Sequence, residues 1–141
     1  MAFHGGWQYS PAPESTDHVT LDDQYGLFIG NEFVEPVEGQ YFDTVNPATE
    51  EFLATVALAT DADIDRAVKA ARKAMTGAWS KMKAADRGKY IYRIARIIQE
   101  RAREFSVIES LDGGKPIRES RDIDVPLSAA HFFYYAGWAD K

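Results

Sequence analysis

The spacing of apolar residues changes once along this chain of 141 residues, and the change limits what it can fold into. Up to Ala57 the apolar residues come in short runs broken by turn residues. Leu27-Phe28-Ile29 and Glu32-Phe33-Val34-Glu35 are two strand candidates. Gly30-Asn31 between them supplies the positive φ a tight hairpin needs. Pro36 confines the second run to an edge or an end. Phe42 to Val45 is a third run, closed by the turn pair Asn46-Pro47. Glu51 to Ala57 is a fourth, apolar on both faces as in a covered strand. From Ile64 the period becomes helical. Ile64, Ala67, Val68, Ala71 and Met75 stand at i, i+3, i+4, i+7 and i+11, one helix face, with Thr60 or Asp61 as N-cap.

A second helix is predicted from about Ala85 to Phe105, roughly 30 Å of rod. Ile91, Ile94, Ile98 and Phe105 mark its buried side, with Arg93, Arg96, Glu100 and Arg103 toward water. Val107, Ile108 and Leu111 continue into a short helix that Gly113-Gly114 ends in a left-handed cap. Asp124 is expected to cap the last helix, with Pro126 in its first turn, where a missing N–H costs little. Met1 to Gln24 lacks either period and reads as an irregular arm bearing Phe3, Trp7 and Tyr9. The order of elements gives an α/β class: short strands, a hairpin plus edge strands, followed by a mostly helical region.

A chain of this length fits one domain and can bury roughly 68–70% of its unfolded surface. Sixteen basic against 22 acidic residues give a net charge of −6, which argues against a nucleic-acid partner. No block of like charge stands out. No apolar run is long enough for a bilayer, and the N-terminus has neither the basic nor the apolar region of a secretory signal. A cytoplasmic location is the expectation. With no cysteine in the sequence, disulfides and thiolate chemistry within these residues are excluded.

Several chemical motifs fail on inspection. Asp61-Ala62-Asp63-Ile64-Asp65 opens like a calcium loop, but Arg66 and Arg72 stand where Gly and Glu are required. The three carboxylates suit the positive end of a helix dipole better. Gly113-Gly114-Lys115 suggests a phosphate loop, yet Glu109 and Pro116 occupy its essential Gly and Ser/Thr positions. No serine sits in a Gly-x-Ser-x-Gly elbow. His4 and His18 lie in the arm, and His131 lies on an aromatic helix. Asp122 and Asp124 are too close in sequence for a typical catalytic pair. Phe132, Phe133, Tyr134, Tyr135 and Trp138 surround most of that last helix, and an all-round apolar helix is a buried one. More protein is therefore expected against Phe133, Tyr134 and Trp138, either the remainder of the chain or another subunit.

Two stretches carry a family resemblance. One is Asp43-Thr44-Val45-Asn46-Pro47-Ala48-Thr49-Glu50-Glu51. The other runs from Leu111-Asp112-Gly113-Gly114-Lys115-Pro116 to Tyr134-Tyr135-Ala136-Gly137-Trp138-Ala139-Asp140-Lys141. With the hairpin, the Ile64–Met75 helix, the Trp79 segment and the Arg87 helix in order between them, the chain from Tyr25 to Lys141 resembles the opening part of the NAD(P)-dependent aldehyde dehydrogenases. The resemblance implies the N-terminal segment of that fold: an arm over 1–24, then part of a coenzyme-binding domain over 25–141. It implies oxidation of an aldehyde to a carboxylic acid with NAD or NADP, through a cysteine thiolate, and a homo-oligomer. The family's cysteine, oxyanion donors, general base and phosphate-binding turn all fall beyond residue 141, so no catalytic or cofactor residue carries over. These residues alone are expected to be inactive. A free-standing, non-catalytic assembly module is the alternative. One family feature does map here. A monovalent cation, Na+ or K+, would take oxygens at Thr44, Val45 and Asp112, hard donors suited to such an ion.

Overall fold

The computed structural model describes residues 15–141. Phe3, Trp7, Tyr9 and His4 of the expected arm therefore lie outside the described residues. Within the rest of the arm, Thr16–His18 forms one 3-10 turn, and Ser15 accepts the Asp17 N–H at 3.2 Å.

Five short strands come first: β1 Gln24–Tyr25, β2 Leu27–Ile29, β3 Glu32–Val34, β4 Tyr41–Val45 and β5 Phe52–Ala57. β2 and β3 pair antiparallel, with Ile29 opposite Glu32. Gly30 and Asn31 have φ of 67° and 74°, the double positive-φ turn expected of that pair. The second sheet has the order β1-β5-β4, with β1 parallel and β4 antiparallel to the central β5. β3 stops at Val34, just before the buried Pro36.

Helices follow: α1 Asp61–Thr76, α2 Ala78–Lys81, α3 Ala84–Glu100, α4 Ala102–Gly113, α5 Ile117–Glu119 and α6 Val125–Ala136. α4 ends as the two glycines require, with Gly114 at φ 65° and its N–H on the Ser110 carbonyl. The long rod expected from Ala85 to Phe105 is instead two helices meeting at Arg101 (φ −108°, ψ 18°). The physical reason is that the two halves face different neighbours. α3 packs on α6, with Gly88 against the Ala136 carbonyl and Tyr92 against Phe133, whereas Ile108 and Leu111 of α4 line a cavity with Leu53 and Val56 of β5. Ile94 and Phe105, expected on the buried side, are exposed. So are Ile64, Val68, Ala71 and Met75 of the α1 stripe.

The expected Asp124 cap is also replaced. Asp124 has helical dihedrals and makes no capping bond, and a π-turn at Ser120–Asp124 joins α5 to α6 without a break. Pro126 follows that turn, where the wider winding accommodates a residue lacking an N–H. The Asp124 carboxylate instead accepts Lys115 Nζ at 2.5 Å, and Glu109 takes the same ammonium at 3.4 Å. The hydrogen bond to Asp124, reinforced by Glu109, holds the Lys115 ammonium above its ordinary pKa. Ser110 and the fully buried Ser120 bond at 3.3 Å, a second link between α4 and the π-turn.

α3 and α6 form the closest helix contact. A Cβ added at Gly88 would stand 2.8 Å from the Ala136 carbonyl oxygen, so glycine is needed for this approach. Ala95 is fully buried and Ala129 nearly so. Tyr92 and Phe133 meet edge-on at 4.8 Å on the flank.

Asp63 joins the strand layer to α1. Its carboxylate is 1% exposed and accepts the Val37 N–H at 3.0 Å, the Thr60 N–H at 3.1 Å and the Thr60 hydroxyl at 3.1 Å. Arg66 approaches at 3.3 Å. The Thr60 N–H, more than burial can oppose, holds this carboxyl below the ordinary carboxylate value of 3.8. The helix-dipole account of Asp61, Asp63 and Asp65 therefore describes Asp63 incompletely, since it is a buried tether. Folded Asp63 binds its proton less tightly than the unfolded chain does. Its bonds stabilise the fold above pH 3.8, and that contribution disappears as pH falls through the depressed folded value. In urea unfolding followed by tryptophan fluorescence between about pH 5 and about pH 2, Asp63→Asn should lower stability at the upper end and flatten the acid-dependent loss. An unchanged acid profile would remove Asp63 from this role.

Candidate functional site: the Asn-Pro and Gly-Gly turns

β4 and β5 are joined by the loop Asn46–Glu51. Asn46 closes it locally: its side-chain oxygen accepts the Ala48 N–H at 2.9 Å and its carbonyl accepts the Glu50 N–H at 2.8 Å. The Asn46 N–H returns to the Glu51 carbonyl at 2.9 Å, and Glu50 has the positive φ of 62° that the return demands. Asn-Pro at this position gives an Asx-type turn by a side-chain bond to the backbone two residues on.

The end of α4 lies against this loop. A Cβ at Gly114 would fall 3.1 Å from the Pro47 Cβ, so the two motif turns are in contact. Two residues earlier, at the end of α4, Asp112 Oδ1 accepts a hydrogen bond from the Thr44 hydroxyl. Thr44 and Asp112, 68 residues apart, are thus brought together. Val45 is not part of this contact. The β4–β5 register shifts between Thr44 and Val45, and the Val45 side chain is 46% exposed. A bulge of this kind re-aims the residues beside it.

A cavity of about 250 Å³ opens beside the Thr44–Asp112 pair, between the β1-β5-β4 sheet and α4. Leu21, Tyr25, Leu53, Val56, Ile108 and Leu111 make its wall apolar. Sequence periodicity alone could not find this grouping, because its members come from the arm, three strands and a helix.

The oxygens here suit a hard monovalent cation in kind: one carboxylate, one hydroxyl and nearby carbonyls. They do not make a divalent or transition-metal centre. Among the described residues no three His, Cys, Asp or Glu side chains converge. No helix among them is long and apolar enough to cross a membrane. His131 is exposed on α6.

Comparison with known proteins gives the family and the fold. The aldehyde dehydrogenase family model matches residues 33–141. An aldehyde dehydrogenase of Alternaria alternata is 46% identical over 116 residues, 82% of this chain and 23% of that protein. Aldehyde dehydrogenase 1 of Tanacetum cinerariifolium is 43% identical over the same length. Among solved structures, the NAD+ complex of an aldehyde dehydrogenase from Bacillus cereus superposes with a TM-score of 0.80 at 44% identity, covering 84% of this chain and 24% of that one. The chain belongs to the aldehyde dehydrogenase family and has the fold of the N-terminal part of its structures. It spans about a quarter of the length of the relatives it matches.

The Thr44–Asp112 bond joins β4 to α4 at a partly exposed position, so it should contribute about 1 kcal/mol. A double-mutant cycle with Thr44→Val and Asp112→Ala, read by denaturant unfolding, should give a coupling energy near that value. A coupling within error of zero would show that the two groups merely lie side by side.

Proposed function

We propose that these residues are the opening segment of an enzyme that oxidises an aldehyde to a carboxylic acid with NAD or NADP. The reacting cysteine, the oxyanion donors and the dinucleotide site are supplied by residues outside this chain. The observation that carries the reading is the 44% identity, at a TM-score of 0.80, to a chain solved with NAD+. The segment's own part is structural. It supplies strands, the α3–α6 pair, and the exposed aromatic face of Tyr134, Tyr135 and Trp138. Further polypeptide, from the same chain or from another subunit, covers that face, and the assembly is a cytoplasmic homo-oligomer. Asp112, with oxygens at Thr44 and Val45, contributes to a sodium or potassium site that later residues complete.

The alternative is a free-standing, non-catalytic assembly or interaction module built on the same fold. Turnover separates the two. A longer natural polypeptide containing these residues should generate NADH or NADPH from propanal or another simple aldehyde, whereas the 141-residue chain should generate none. A folded longer polypeptide that oxidises no aldehyde with either dinucleotide would reject the enzyme reading. In the same active protein, Na+ or K+ should raise the melting temperature relative to a bulky organic cation, and Asp112→Ala should abolish the difference. No cation-specific shift in the unaltered protein would reject the ion site.

A further inference from the structure

Sizeable side chains converge between the β1-β5-β4 sheet and α4 without closing the space they enclose. Leu21, Tyr25, Leu53, Val56, Ile108 and Leu111 wall the cavity of about 250 Å³, and each is half-buried. At about 30 Å³ per molecule that volume would take roughly eight waters, and such walls offer them no hydrogen bonds. The favourable occupant is therefore apolar. At the packing density of protein interiors, about 0.74, it would have roughly ten non-hydrogen atoms.

Hydrogen bonds hold the walls in place. The Asp23 carbonyl accepts the Thr55 N–H at 2.9 Å and the Thr55 hydroxyl at 3.2 Å, which pins the segment after Leu21 to β5. Tyr25 lies opposite Val56 in the parallel β1–β5 ladder. Its hydroxyl accepts the Asp22 N–H at 2.9 Å, within its own segment. On the helix side Ile108, Leu111 and Asp112 stand at i, i+3 and i+4, so they share one face of α4.

The cavity has one polar edge, and its chemistry selects among apolar occupants. Thr44 donates its hydroxyl proton to Asp112 Oδ1. A carboxylate only accepts, and it keeps lone pairs beyond the one that Thr44 uses. The pair thus offers acceptors and no free donor. An aldehyde or ketone oxygen finds no partner there, and a ligand carboxylate meets like charge. A neutral hydroxyl can donate to Asp112, a hydrogen bond to a charged group and so stronger than a neutral one.

We propose that this cavity binds a neutral, mainly hydrocarbon alcohol or phenol of about ten non-hydrogen atoms, its body against Leu53, Val56, Ile108 and Leu111 and its hydroxyl on Asp112. The site disfavours both the aldehyde and the carboxylate of the reaction proposed above. It is therefore a separate small-molecule site, and it stands whether or not the enzyme reading does.

The test is calorimetric titration and methyl NMR with three probes of similar shape: 2-phenylethanol, acetophenone and phenylacetate. The buffer holds only a bulky organic cation, which keeps the result separate from the sodium or potassium site. 2-Phenylethanol should bind about tenfold more tightly than acetophenone, the factor expected of one hydrogen bond to a charged acceptor. Phenylacetate should bind more weakly than either. Methyl signals of Leu53, Val56, Ile108 and Leu111 should shift, while those of Ile64 and Val68, exposed on α1, should not. Asp112→Ala should erase the advantage of the alcohol over the ketone. Leu111→Phe, or Val56→Phe if the first variant loses its circular dichroism, should fill the cavity and abolish binding. The same order of affinities should hold in the longer natural polypeptide. Equal affinity for alcohol and ketone in the unaltered chain overturns the proposal, as does no binding at all. Shifts that spread to Ile64 and Val68 overturn it in favour of adsorption on exposed apolar side chains. Binding by the 141-residue chain that the longer polypeptide lacks overturns it in favour of later residues as the occupant.

Discussion

Two helix backbones meet at Gly88 with no space for a methyl group, and the rest of the helical layer is arranged around that approach. The buried apolar side chains are small: Ala54, Ala57, Ala95, Val107, Val125 and Ala129. Small residues let backbones approach closely, and close packing is what protein interiors require. The larger apolar groups, Ile64, Val68, Met75, Leu127 and Tyr134 among them, remain at the surface. Among the described residues, the fully buried apolar positions are therefore filled by small side chains that allow main chains to approach closely. Widening the α3–α6 seam would also displace Tyr92 from Phe133.

Polar joints complete what the small core begins. Asp63 fixes the Val37 backbone to the start of α1, across 26 residues of sequence. Ser110 with Ser120, and Lys115 with Asp124, fix α4 to the winding that leads into α6. Each joint lies where one layer hands over to the next. Buried polar groups of this kind must be fully satisfied, and no buried side-chain nitrogen or oxygen among the described residues lacks a partner.

Local chemistry was legible in the sequence wherever a single residue type dictates a backbone shape. Gly30-Asn31 specified the hairpin, Asn46-Pro47 the loop after β4, and Gly114 the left-handed end of α4. Long-range partners were not legible. Nothing in Asp61-Ala62-Asp63-Ile64-Asp65 says that the middle carboxylate, rather than its neighbours, reaches a distant backbone N–H. The turn at Arg101 was hidden because Gln99-Glu100-Arg101-Ala102-Arg103 is good helix-forming sequence throughout. There tertiary packing overrides propensity, since the two halves bury stripes in different directions. Asp124 looked like a cap because Pro126 follows it, and only the π-turn reveals why no cap is needed. The pairing of Thr44 with Asp112 came from resemblance and not from spacing.

The contact between Pro47 and Gly114 joins two loops that a reader of the sequence would treat as separate. Gly114 is the residue whose left-handed backbone lets the chain leave α4, and Pro47 fills the space where any side chain at 114 would go. For anyone redesigning this protein, the two positions form a single unit. Grafting a different β4–β5 loop, or lengthening α4 by one turn, would require the opposite partner to be rebuilt in the same step.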